Sequence, residues 1–231
     1  MKSRFSEKEK NRARAVHAAL GRLFPGRPAT ILRYNNNWEL LVAVQLSAQC
    51  TDKKVNEITE KLFTKYRTLA DYARANPREF EKDIFQSGFY KNKTKNILAA
   101  ANLVSKKYGG AIPKTMEEML EIPGVARKTA NVVLGNAYGV IEGIAVDTHV
   151  TRLAQVLGLT KEKTPEKIER DLMELLPKEE WFTFTYRIID YGRTYCKATK
   201  HDHAVCPLTH EFGDKIPWLL KNSKHQIPNS R

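Results

Sequence analysis

Two side chains in this sequence join reactive chemistry to a defined local setting: Lys128, just after a Pro-Gly turn, and Asp147, just after an apolar run. Lys128 falls in the first turn of the helix that begins near Arg127. Exposed amides at a helix start disfavour a positive side chain, which favours the neutral, nucleophilic amine. Asp147 follows Gly143-Ile144-Ala145-Val146 and precedes Thr148, so it reads as the cap of the helix carrying His149 and Val150. A capping carboxylate is held in one place, where it can stabilise developing positive charge or accept a proton. Taken alone, a lysine and an aspartate are ordinary surface residues, so the elements that carry them decide their meaning.

The segment MEEMLEIPGVARKTANVVLGNA reads as helix, tight turn, helix, with the turn at Ile122-Pro123-Gly124-Val125-Ala126. Pro123 constrains entry to the turn, Gly124 permits close backbone approach and Val125 plugs the angle between the helices. Such a turn leaves amide N–H groups at the next helix start facing outward. A phosphate can accept them whatever the base sequence, and Arg127 adds charge. The same residues also suit a plain joint between helices.

Apolar residues recur at helical spacing along most of the chain. Leu40, Leu41, Val44 and Leu46 mark one buried helix; Val55, Ile58 and Leu62 line a second, and Ile97, Ala101 and Val104 a third. Ser6 with Glu9 and Thr115 with Glu118 have capping-box spacing, and Thr164-Pro165 pairs a capping hydroxyl with a ring that presets the first helical φ. Ile168, Leu172, Leu175 and Leu176 form a stripe after that start, and further helices are expected over about 150–157 and 180–191. Alternating strand-like runs are scarce, so the expected fold class is all-α.

A formal net charge of +13 over 231 residues favours a polyanionic partner, nucleic acid above all, over an acidic metabolite. Lys and Arg are spread along the chain, so folding must assemble any binding face. The opening MKSRFSEKEKNRAR lacks the apolar centre of a signal peptide and no run approaches membrane-spanning length; the expectation is a soluble cytoplasmic, nucleoid-associated protein. Three cysteines, Cys50, Cys196 and Cys206, give no disulfide framework.

From about residue 30 to 206, and specifically through LLVAVQLSAQCTD, IPGVARKTANVVL and IAVDTHVTRLA, the sequence resembles the endonuclease III branch of the helix-hairpin-helix DNA glycosylases. The resemblance implies two helical lobes flanking a central DNA-binding cleft: a helical barrel over 30–145, and a discontinuous domain from 1–29 plus 146–231. It also implies that Lys128 attacks C1′ of an everted nucleotide as the damaged base departs, with Asp147 stabilising the positive sugar and handling the amine's proton. The resulting imine then permits β-elimination of the 3′ phosphate. The expected activity is that of a bifunctional glycosylase and abasic-site lyase on oxidised or ring-damaged pyrimidines, with damaged double-stranded DNA as partner and a monomer as the working form. A uracil or mismatch glycosylase on the same scaffold, or a DNA-binding protein without catalysis, are the other readings these residues allow.

The resemblance extends to the DNA-contacting positions. Gln49 enters the duplex or meets the orphaned base. From its residues alone, Gln86-Ser87-Gly88-Phe89-Tyr90 reads as a second polar and aromatic loop suited to wedge into the strand opposite the lesion, with Lys91, Lys93 and Lys95 against phosphate; its aromatics equally suit packing under the loop. Gly124, Ala126, Arg127 and Thr129 supply the hairpin contacts, with His149 and Arg193 as further candidates. Asp52 reads as a helix cap. The family's hairpin usually has glycine where Ala126 stands, and the loop between Lys128 and Asp147 is one residue longer than the common bacterial pattern.

Many relatives bind a four-iron, four-sulfur cluster through four cysteines, and the matching positions here are Cys196, His203, Cys206 and Phe212. Two thiols, one imidazole and a phenyl ring cannot furnish that ligand set, so the cluster is expected to be absent, with Phe212 and Trp218 packing in its stead. Zinc is the rival use of this segment, through Cys196, Cys206 and two among His201, His203 and His210, with Cys196, His203, Cys206 and His210 the foremost set.

Overall fold

Helix starts in this chain are set by side chains that capture the otherwise unpaired first-turn amides. Ser6 caps α1 (Glu7–Leu23) in a full capping box with Glu9. Asn36 caps α2 (Asn37–Leu46), and Thr51 caps α3 (Asp52–Lys65), so Asp52 is the first helical residue and not the cap. Thr68 and Asn76 cap the short helices α4 (Leu69–Ala73) and α5 (Pro77–Asp83). Thr115 caps α7 (Met116–Leu120), and Asp147 caps α9 (Thr148–Val156). At α10 (Pro165–Leu175) the proline occupies the first turn as expected, but the Thr164 hydroxyl makes no capping bond. The remaining helices are α6 (Tyr90–Lys107), α8 (Arg127–Tyr138), α11 (Trp181–Thr194) and α12 (Pro207–Phe212).

The computed structural model describes residues 3–26, 29–199 and 201–212, apart from the side chains of 204, 209 and 210. Trp218 lies outside the described residues. Among the described residues the regular structure is entirely helical. The chain divides into two units, one of residues 30–142 and one of 1–29 with 143–231; the resemblance implies the second crossing at 146.

In the unit of residues 30–142, α2 is the central rod: every residue from Trp38 to Leu46 is buried, including Glu39 and Gln45. Helices α3, α6 and α8 pack around it, α7 packs on α8, and α4 and α5 cover α6. Leu41, Leu46, Leu62, Ile97, Met119 and Leu134 lie in one continuous apolar core.

In the other unit, α11 packs on α1 and α9, and α10 on α1 and α9. Their core joins Val16 and Leu20 to Val150, Leu153, Leu172, Phe184 and Ile188, and extends to Cys196, Cys206 and Phe212. Arg12 of α1 donates through its Nη2 to the carbonyls of Leu157 and Gly158, satisfying acceptors that the end of α9 leaves open. No helix among the described residues is long and apolar enough to cross a membrane.

Candidate functional site

The hairpin forms from α7, a turn and α8. Gly124 sits at φ +77°, and a Cβ there would lie 2.8 Å from Cβ of Asn96 on α6. Conformation and space therefore both require glycine at this position. The buried Gln45 of α2 donates through Nε2 to the carbonyl of Pro123 at 2.9 Å, fixing the turn to the central rod. Ala126 is the N-cap of α8 and offers no side-chain acceptor, so the first-turn amides of this helix are left without a side-chain cap. Lys128, the second residue of α8, is exposed, and Arg127 donates to the carbonyl of Glu142 at 3.3 Å. An uncapped helix start with two cations beside it favours an anion such as a phosphate.

Two further loops meet this hairpin within the same unit. Gln49 (φ +54°) and Phe89 (φ +49°) are the non-glycine residues with left-handed backbone among those described. Side chains pay for that conformation, and such strain collects at functional loops. Phe89 is 66% exposed, whereas Tyr90 is half-buried with its ring 4.9 Å from that of Phe85. Gln49, Phe89 and Gly124 line one recess of about 210 Å³, together with Gln45, Asn92 and Asn96.

Lys93 departs from its expected role. It is only 7% exposed, and its ammonium donates to the carbonyls of Leu46 at 2.9 Å and Ser87 at 2.7 Å. Burial lowers its pKa, with Cys50 opposing. Lys93 thus ties the loop carrying Gln49 to the loop carrying Phe89 and does not face outward toward phosphate. Ser87 is buried as well, and its hydroxyl donates to the carbonyl of Gly88. Lys91 and Lys95 remain exposed.

Asp147 belongs to the other unit. It is half-buried, and its Oδ1 accepts the N–H of Val150 at 2.8 Å. His149 stands two residues on, with a buried Nδ1 that faces Gly192 of α11 and makes no hydrogen bond among the described residues. The bond that holds Asp147 in the described structure is its own cap, and His149 serves the packing of α9 on α11. Arg193 is exposed and lies 3.7 Å from Asp190. Sequence reasoning missed Gln45, Asn92 and Asn96: isolated amides on apolar or lysine-rich helices carry no motif, and only the fold brings them to the hairpin.

At the C-terminal end, Phe212 has no donor atom and is buried in the core, so these residues do not fit a cluster held by four thiolates. The expectation of no metal is nevertheless unsupported. Ligand atoms of Cys196, His201, His203 and Cys206 gather within 4.8 Å of one another. His210 lies in α12, and its side chain is outside the described residues.

Comparison with known proteins shows the family. Residues 42–178 match the model of the HhH-GPD superfamily base excision DNA repair protein family. The chain is 46% identical to an endonuclease III of Synechocystis sp. over 87% of its length and 92% of that protein's. It is 43% identical to an endonuclease III of Bacillus subtilis, covering 82% of this chain and 86% of the relative. Among solved structures, a trapped endonuclease III–DNA covalent intermediate superposes with a TM-score of 0.86 at 40% identity, covering 93% of this chain and 99% of the other. A hairpin with an uncapped helix start, a lysine in its first turn and this breadth of similarity place the chain in the HhH-GPD superfamily of base excision DNA repair proteins.

Proposed function

We propose that this protein excises oxidised or ring-damaged pyrimidines from duplex DNA and then cleaves the backbone 3′ to the resulting abasic site. One observation carries the reading: Lys128 stands exposed in the first turn of α8, in a chain 40% identical to an endonuclease III that has been trapped covalently on DNA. The neutral amine of Lys128 attacks C1′ while the bond from C1′ to the base breaks, and the base leaves with the electron pair. Asp147, one carboxylate oxygen fixed by Val150 N–H, offers Oδ2 to the positive sugar and to the proton that the amine loses. Opening of the sugar converts the adduct to an imine. That imine acidifies the C2′ hydrogen, and its loss expels the 3′ phosphate.

The hairpin amides and Arg127 hold phosphate in this reading, while Gln49 and Phe89 occupy the space left by the everted nucleotide. Lys93 and Gln45 position those loops without touching DNA. The protein then works on chromosomal DNA, where its charge keeps it close to the nucleoid.

Borohydride reduction in the presence of a duplex bearing an abasic site tests the assignment. A covalent protein–DNA adduct is expected with the natural sequence, and none with Lys128→Ala. Adduct formation through another lysine would displace Lys128, and tight binding with neither adduct nor cleavage would leave a non-catalytic DNA binder. A panel of lesion duplexes then reads base preference: excision confined to uracil or mismatched thymine would overturn the pyrimidine-damage assignment.

A further inference from the structure

We propose that Cys196, His201, His203 and Cys206 hold a single zinc ion in a tetrahedral site that clasps the segment following α11. Cys196 Sγ lies 3.7 Å from His203 Nδ1, and Cys206 Sγ lies 3.4 Å from His201 Nε2. Bonds of about 2.0 Å to nitrogen and about 2.3 Å to sulfur give a zinc tetrahedron donor–donor edges of roughly 3.3–3.8 Å. These two spacings suit one ion, and all four donor atoms lie within 4.8 Å of one another.

The surroundings prepare these atoms for a metal. His201 Nδ1 lies 2.8 Å from the carbonyl oxygen of Thr199, so that nitrogen carries the proton and the lone pair sits on Nε2, the atom beside Cys206. Arg152 of α9 donates to the Cys196 carbonyl at 2.6 Å and brings Nη1 to 3.5 Å from Cys196 Sγ, a position that supports a thiolate. Both sulfurs are buried in the core. Two buried thiolates alone would be costly, whereas two thiolates, two neutral imidazoles and a divalent ion form a neutral group.

All four donors come from the protein, which is the arrangement of a structural site with no open position for substrate. Such an ion would close the loop between Cys196 and Cys206 and fix the start of α12 against Tyr191, whose hydroxyl already accepts the N–H of Leu208 at 3.3 Å. The inference is independent of the catalytic reading above.

Full-length protein purified without chelator, assayed for iron and zinc, provides the first test. About one zinc per chain is expected, with no stoichiometric iron. Cobalt exchanged into the same protein should show the intense ligand-field bands of a tetrahedral ion and sulfur-to-cobalt charge transfer. Cys206→Ser and His201→Ala should each reduce zinc to background, and the cobalt spectrum of the natural sequence decides the matter if either variant fails to fold. Stoichiometric iron with a sulfur-to-iron band would overturn the proposal. So would metal-free protein whose Cys196 and Cys206 react as free thiols or form a disulfide, and so would zinc that survives both substitutions.

Discussion

Lys93 illustrates how a residue type can mislead about its role. Sequence alone groups it with Lys91 and Lys95 as a phosphate contact, yet its ammonium spans two backbone carbonyls inside the protein. Lys93→Met keeps the aliphatic stem and removes the donor, leaving both carbonyls short of a partner. A stability loss of about 1–3 kcal/mol is expected in denaturant titration. Affinity for an abasic duplex should fall because the two loops loosen, but the slope of log affinity against log salt should stay unchanged, since no phosphate contact is lost. A shallower slope in Lys93→Met would show that the ammonium meets DNA after all. Lys128 is the opposite case: its local motif was legible in the sequence because a hairpin turn and the residues just after it are adjacent in the chain. Gln45 was not legible, because its partner carbonyl on Pro123 is 78 residues away. The donor set at the C-terminal end falls between these extremes: its cysteines stood out, but only the fold turns His201 toward Cys206.

Helix-level arguments fared well at the caps Ser6 and Thr115 and along the apolar residues of α2. They failed where two candidate oxygens compete, and Thr51 displaces Asp52 as the cap of α3 because the threonine hydroxyl reaches the N–H of Lys54. Helix-to-helix approach was not readable at all, and Gly192 shows why. A Cβ at this position on α11 would come within 2.8 Å of His149 Nδ1 and 2.9 Å of Leu153 Cδ1, both on α9. Gly192→Ala must displace these side chains of α9, and Asp147 is the cap of that helix. A loss of about 1–3 kcal/mol in stability is expected, with strand cleavage falling more than duplex binding, as single-turnover assays and binding titrations on the variant would reveal. Unchanged cleavage would sever the link between this contact and the carboxylate. Where α1 meets α11, His17 lies 3.0 Å from Glu180 Oε2 and 3.2 Å from the Arg187 guanidinium. Burial, the largest influence, lowers its pKa; Arg187 adds to this and Glu180 opposes it. Protons therefore bind the unfolded chain more readily, so this contribution is whole above the ordinary histidine range and is lost as pH falls through the lower folded value. Melting temperature should drop between about pH 7 and about pH 5, and His17→Gln should flatten that drop. An equal drop in the variant would locate the acid sensitivity elsewhere.

Over the whole molecule, a formal charge of +13 makes binding to undamaged duplex an electrostatic matter. Between about 50 and about 200 mM salt its affinity should decline linearly on logarithmic axes, by about 0.9 in slope for each phosphate neutralised. A salt-independent affinity would remove charge as the basis of that binding. The division of the chain has a separate consequence for its synthesis. Helix α1 is made before the helices that cover Val16 and Leu20, which belong to residues beyond 143, whereas the core of the intervening unit is drawn from its own continuous stretch. At ordinary ribosomal speeds, roughly 5–20 residues per second, that stretch can fold while the apolar stripe of α1 waits on the order of ten seconds for its partners. In a growing cell, α1 is thus a helix whose apolar face needs a chaperone until residues beyond 143 have been made.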